Sequence, residues 1–341
     1  MKRFIIFFLM LTFVSVNLFA QQKPHYTQYV LNNYIVNPAF TGIENYTEMK
    51  IGYRQQWTGL DGAPTTSYLT IHAPLGKKDE RLTPTSMPRS GVNLRGVDYL
   101  KESEPAAPHH GIGFQLIQDN IGPIKTTSAL ATYAYHMALS NNTNLSGGFG
   151  VGVSRINLDR NKLNFGTPNP IDPSVSSSLT TLSKSKLDLN AGLLLYSPRY
   201  YAGLSVLQIL PEDLTFANNT LSTTSGKRVP HIFFTSGYKA FLDDDFTLIP
   251  SIMVKYIQPT PVQVEVNAKL QYQNLVWAGA SYRFKYGFAG MLGANITPNI
   301  SLGYSYDYTT TRLNTVTSGT HEIVLGFIFG NKNGDNCPRV F

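Results

Sequence analysis

From Val262 to Tyr272 the chain alternates without a break. Val262, Val264, Val266, Ala268, Leu270 and Tyr272 are apolar, and Gln263, Glu265, Asn267, Lys269 and Gln271 are polar. A period of two puts one set on each face of a strand. The same pattern sets Ile300, Leu302, Tyr304, Tyr306 and Tyr308 against Ser301, Gly303, Ser305 and Asp307, and Met49, Ile51, Tyr53 and Trp57 against Glu48, Lys50, Gly52, Arg54 and Gln56. In Leu145 to Ser154 the second face is Ser146, Gly148, Gly150, Gly152 and Ser154, small residues that suit a crowded or strongly curved interior. Marking every such run predicts about fourteen strands of roughly ten residues, the length a tilted strand needs to cross a bilayer. Their expected starts are Thr47, Thr65, His110, Thr126, Thr143, Lys186, Tyr200, Pro230, Asp245, Pro261, Leu275, Gly287, Asn299 and Gly319.

This predicts an all-β transmembrane antiparallel barrel spanning 47–329. An even strand count returns both chain ends to the periplasm. The short connections at Ser140 to Asn142, Ser197 to Arg199, Asp243 to Asp245, Gln273-Asn274 and Thr297 to Asn299 then share the periplasmic side, and two long ones, Asn157 to Ser185 and Leu210 to Val229, share the outside. Tyr133, Tyr135, Tyr256, Tyr282, Tyr286, Tyr304, Tyr306 and Tyr308 gather near strand ends on the apolar face, as interfacial girdles do. A large soluble sandwich also has one apolar face, but it seldom needs so many ten-residue strands with charged faces turned away from it. Lys50, Arg54, Glu265, Lys269, Arg283, Lys285 and Asp307 are expected to face a hydrated lumen.

Composition sharpens this. Charged residues are 14% of the chain, well under the roughly 25% usual in soluble domains. Residues 1–20 have the form of a secretory signal, with Lys2 and Arg3 before an apolar run and Leu18-Phe19-Ala20 before the expected cut. Beyond them no apolar run approaches a membrane helix, so membrane entry would be by strands and membrane lipid would be a partner. The formal charge of +7 is spread along the chain, which argues for no nucleic acid partner. Cys337 is the only cysteine and is read as a lone thiol in a 330–341 tail.

Candidate chemistry is sparse. His109-His110 has no acid or cysteine at ligand spacing and reads as a loop-end pair. "GGFGVGV" lies within an alternating strand and opens no helix, so it is no dinucleotide loop. Asp243-Asp244-Asp245 suits a tight turn. His72, His136 and His321 sit on separate strands, and no nucleophile-base-acid grouping assembles from spacing. The expectation is no enzyme, no cofactor and no metal. Gly76 to Pro108 departs from the pattern: a long insertion on the periplasmic side, either disordered or a docking arm.

Residues 21–46 keep neither period. "HYTQYVLNNYIVNPAFTG" holds four rings and amides at Gln28, Asn32, Asn33 and Asn37, with Asn37-Pro38 disfavouring any continued helix. Two placements suit it, in the barrel mouth as a plug or presented to a periplasmic partner.

Four stretches carry a family resemblance. "QYVLNNYIVNPAFTG" (Gln28, Tyr29, Asn32, Asn37, Pro38, Ala39, Gly42) resembles the N-terminal signature of the PorP/SprF family of type IX secretion system outer-membrane proteins of Bacteroidetes. "YRQQWTGLDGAPTT" (Tyr53, Arg54, Gln56, Trp57, Gly62, Ala63, Pro64), "GIGFQLIQDNIGP" (Gly111, Gly113, Asp119, Gly122) and "YDYTTTRLNTVTSGTHEIVLGF" (Asp307, Tyr308, His321, Glu322) follow in order. The resemblance implies a non-enzymatic component supporting export or surface attachment of proteins such as adhesins, often in gliding systems. Its implied partners are periplasmic and outer-membrane components of that system and exported proteins with C-terminal sorting domains. A passive porin or small-solute transporter is the alternative that the residues alone leave open.

Overall fold

The computed structural model describes residues 27–78, 83–86, 107–159, 162, 181–213 and 227–330. Fourteen antiparallel strands form the wall: β1 (Thr47–Gln55), β2 (Thr65–Leu75), β3 (His109–Ile121), β4 (Ile124–Ala138), β5 (Asn144–Asp159), β6 (Thr181–Tyr196), β7 (Tyr200–Leu207), β8 (His231–Tyr238), β9 (Phe246–Ile257), β10 (Gln263–Tyr272), β11 (Val276–Arg283), β12 (Gly287–Thr297), β13 (Ile300–Thr309) and β14 (Thr320–Phe329). Each pairs with its sequence neighbours, and β1 closes the ring on β14 through Thr47↔Phe329 to Gln55↔His321. Closure leaves no strand edge in the wall, as a chain surrounded by lipid requires. No helix among the described residues is long and apolar enough to cross a membrane.

The alternation decides which face is which. Ile51 and Tyr53 are 43% and 49% exposed while Glu48, Lys50 and Arg54 between and beside them are 6%, 5% and 2% exposed. In a protein folded in water the burial would run the other way. The outward ring of Ile, Leu, Phe and Tyr is a lipid face, and the polar face is turned into the lumen.

The strands differ from expectation in length. β4 and β6 begin at Ile124 and Thr181 instead of Thr126 and Lys186, and β3 to β6 run 13 to 16 residues. A crossing needs about ten, so these strands continue past the bilayer. β1 stops at Gln55, so Gln56 and Trp57 are not part of it; Trp57 has φ +49, outside any strand conformation. Lys285 likewise sits in the turn between β11 and β12, exposed, and does not face the lumen.

Chain entry to β1 and exit from β14 fall at one end of the barrel, the terminus end, with the connections that follow each even-numbered strand. The connections that follow odd-numbered strands form the far end. Most of 76–108 and of the two long far-end connections, residues 1–26 and residues 331–341 with Cys337 lie outside the described residues.

Candidate functional site

The sequence between the N-terminus and β1 makes three short 3-10 turns, Thr27–Val30, Asn33–Ile35 and Pro38–Phe40. Pro38 opens the third turn, where its missing N–H costs nothing, and the Asn37 side chain caps that turn by accepting from the Ala39 amide at 2.9 Å. From Tyr29 to Ile43 the described side chains are almost all buried, and they lie inside the lumen.

Two apolar clusters hold this lumenal segment. Tyr29, Val30, Ile35 and Val36 pack with Tyr68, Ile117, Leu207, Phe233, Met253 and Val324 of the wall. Tyr34, Ala39, Phe40 and Ile43 pack with Leu194, Tyr196 and Tyr201, with Phe40 edge-on to Tyr201 at 5.6 Å between ring centroids. These wall residues explain "LLLY" at 193–196 and Phe233-Phe234, which are apolar on both faces. One face meets lipid and the other meets the segment.

Because 3-10 turns in a barrel lack ladder partners, the wall must satisfy their backbone. It does so with side chains from six strands. Gln115 donates to the Tyr34 carbonyl at 2.8 Å, Ser146 to Ala39 at 2.9 Å and Ser205 to Val36 at 2.6 Å, and the Lys50 ammonium meets the Leu31 carbonyl. His72, His109 and His136, on separate strands in the sequence, converge here. The Gly42 amide donates to His72 Nδ1 at 3.2 Å, while His109 Nε2 and His136 Nε2 lie 3.1 and 2.9 Å from the Gly42 and Thr41 carbonyls. His109 and His136 stack at 4.3 Å. His109, the first residue of β3 after the long insertion, is turned into the lumen, while His110 beside it is exposed. The segment's own amides bond outward, Asn32 to Thr70 at 3.1 Å and Asn37 to the Leu193 carbonyl at 3.1 Å, and the Asn267 amide donates to the Tyr29 hydroxyl at 2.5 Å. Burial pushes the Tyr29 and Tyr34 phenols above their ordinary pKa, so both stay neutral.

Glycines let the two backbones approach. A Cβ on Gly111 would lie 1.9 Å from the Thr41 carbonyl oxygen, one on Gly148 2.5 Å from that of Pro38, and one on Gly192 2.0 Å from Asn37 Oδ1. Gly42, at φ +72, meets Gly111 in the same close approach. Of these, the sequence placed Gly148 on a small inward face; what it faces was not visible there.

At the terminus end the segment is tied down by the long insertion. Glu44, 1% exposed, accepts from the hydroxyls of Thr83 at 2.5 Å, Thr85 at 2.7 Å and Ser86 at 2.5 Å, and Lys77 donates to the Ile43 carbonyl at 2.5 Å. Nothing in the spacing of 44 and 83–86 marked this contact.

At the far end the lumen holds an ionic group. Arg54 bonds Asp307 at 2.8 Å and Glu322 at 2.9 Å, and Arg283 bonds Glu265 at 2.9 Å. Above this group is a cavity of about 230 Å³ lined by Arg54, Trp57, Pro64, Asp119, Arg283, Asp307 and Tyr308 among others. Residues from three of the four sequence motifs thus meet in one place. Gly62 and Gly122 join the neighbouring loops through a 3.0 Å backbone bond, next to Ala63. Tyr53 and His321 point outward instead, His321 bonding Tyr304 at 2.8 Å. Gln28 lies in the first 3-10 turn. Among the described residues no group of three or more His, Cys, Asp or Glu is placed to hold a metal.

A closed fourteen-stranded barrel with a lipid-facing apolar belt and a polar lumen defines an outer-membrane protein. Among solved structures it is similar to the Ralstonia pickettii toluene transporter TbuX (9% identity, 88% of this chain and 93% of that chain, TM-score 0.49). It is also similar to the Pseudomonas putida toluene transporter TodX (10%, 92% and 95%, 0.49) and the Acinetobacter baumannii outer membrane protein Omp33 (8%, 84% and 98%, 0.44). No curated protein matches. The profile of the type IX secretion system membrane protein PorP/SprF family matches residues 18–327, and the chain belongs to that family.

Proposed function

We propose that this protein is a non-enzymatic outer-membrane component of the type IX secretion system that supports export or surface attachment of secreted proteins, adhesins among them. Its partners in this reading are periplasmic and outer-membrane components of the system and cargo bearing C-terminal sorting domains. Family membership supports the system. The observation that carries the reading against a passive porin is the lumenal segment: Tyr29 to Ile43 fill the barrel from wall to wall with apolar packing and satisfied backbone groups. Such packing in place of water opposes free solute flow and makes the segment a plug. The terminus end faces the periplasm, following the barrel rule, which puts the plug's exit and the 76–108 arm where periplasmic partners are. Deleting the gene should remove a secreted adhesin from the cell surface and leave nutrient uptake normal. Impaired uptake with unchanged surface adhesin would contradict the proposal.

A further inference from the structure

The far-end cavity is separate from the plug. Its lining comes from strand ends and the loops between them: Trp57 and Pro64 after β1, Ile121 closing β3, Tyr286 before β12 and Thr320 opening β14. A water occupies about 30 Å³ of liquid, so about 230 Å³ is room for one long side chain or several waters.

The charged side chains in and just beneath this cavity are not all paired alike. Arg54 has two carboxylate partners, Asp307 and Glu322. Arg283 has Glu265 at 2.9 Å and Asp307 at 3.9 Å. Both guanidiniums are therefore engaged by carboxylates. Asp119 is different. It is 6% exposed and lines the cavity, its Oδ1 accepts the Thr66 hydroxyl at 2.7 Å, and no described cation lies within salt-bridge distance of it. A buried carboxylate in that position is costly unless a cation or water meets it. Trp57 lines the same space, and Tyr286 and Tyr308, 42% and 47% exposed, stand at its outer rim. An aromatic ring beside a carboxylate is a usual setting for organic cations.

We propose that this cavity is a binding site for an organic cation, an alkylammonium or guanidinium group, with Asp119 as counter-charge. The inference does not rest on the secretion role. The chain has only two tryptophans, Trp57 in the cavity and Trp277 on the inner wall of β11, 5.8 Å from the Lys269 ammonium. Trp277→Phe therefore leaves a reporter at the site. The full chain carrying that change is titrated in detergent with n-butylammonium, n-butylguanidinium, butyrate and the tripeptide acetyl-Gly-Lys-Gly-amide, following Trp57 emission.

Saturable change with the cations and none with butyrate is expected. Asp119→Asn, which keeps shape and an acceptor for Thr66, should weaken cation binding about tenfold or more, a loss of about one decade in Kd. Asp119→Glu should retain it. Heat-dependent gel mobility confirms that each variant is a folded barrel. Tighter binding of the tripeptide than of butylammonium upholds the site and identifies a polypeptide side chain as its ligand; the reverse upholds it and identifies a small solute. No saturable response to any cation, a response to butyrate, or equal binding by folded Asp119→Asn would overturn the proposal.

Discussion

Asn37 shows how much one side chain does in the plug. Its Oδ1 caps the third 3-10 turn and its Nδ2 reaches the Leu193 carbonyl. Asn37→Ala should cost about 1 kcal/mol for the cap and about 1 kcal/mol for the lost bond, read as faster protease cleavage within 25–42 of the folded protein. Gly192→Val tests the same contact from the wall, because its Cβ would overlap Asn37 Oδ1. Overpacking of this kind costs about 1–3 kcal/mol and should release the segment while the barrel still folds. Equal protease resistance in both variants and the native chain would contradict the packing. The sequence made the amides and rings of 25–42 conspicuous, but not their partners. His72, His109 and His136 are separated by 37 and 27 residues, and only the registers His72↔Gly113 and His109↔His136 bring their strands together.

Among the elements, the strands were the most legible, because lipid on one side and water or polar packing on the other impose a strict period of two. Their ends were less so. Trp57 continues the apolar parity of β1 yet leaves the strand, since the loop 56–64 closes on itself through Gln56 and Pro64. The inner apolar residues Leu194, Phe233 and Val324 carry no distinct periodic signal, because their partner is a segment with no period at all. Two predictions belong here. Arg54→Ala takes a buried guanidinium from both Asp307 and Glu322, a loss of about 3–5 kcal/mol, and should lower the temperature at which the barrel unfolds on gels. Arg54→Lys should restore little, since a single ammonium does not reproduce the two-pronged contact. At the other end, Glu44→Ala removes the acceptor shared by Thr83, Thr85 and Ser86. The arm should then be cut faster by protease in 79–105, with barrel insertion unchanged.

The whole molecule joins a lipid-embedded wall, a lumenal segment anchored at the terminus end and a charged cavity beyond it. The wall alone would suit a porin; residues 29–43 of the chain itself occupy its lumen. Secretion could not be read from periodicity or charge, because neither names a partner; it came from the four motifs and the family they belong to. The most direct measurement is single-channel recording of the native chain in planar bilayers beside a variant lacking residues 29–43. The native protein should show no steady large currents and the variant should open. Steady large currents from the native chain would contradict a lumen closed by its own N-terminal segment.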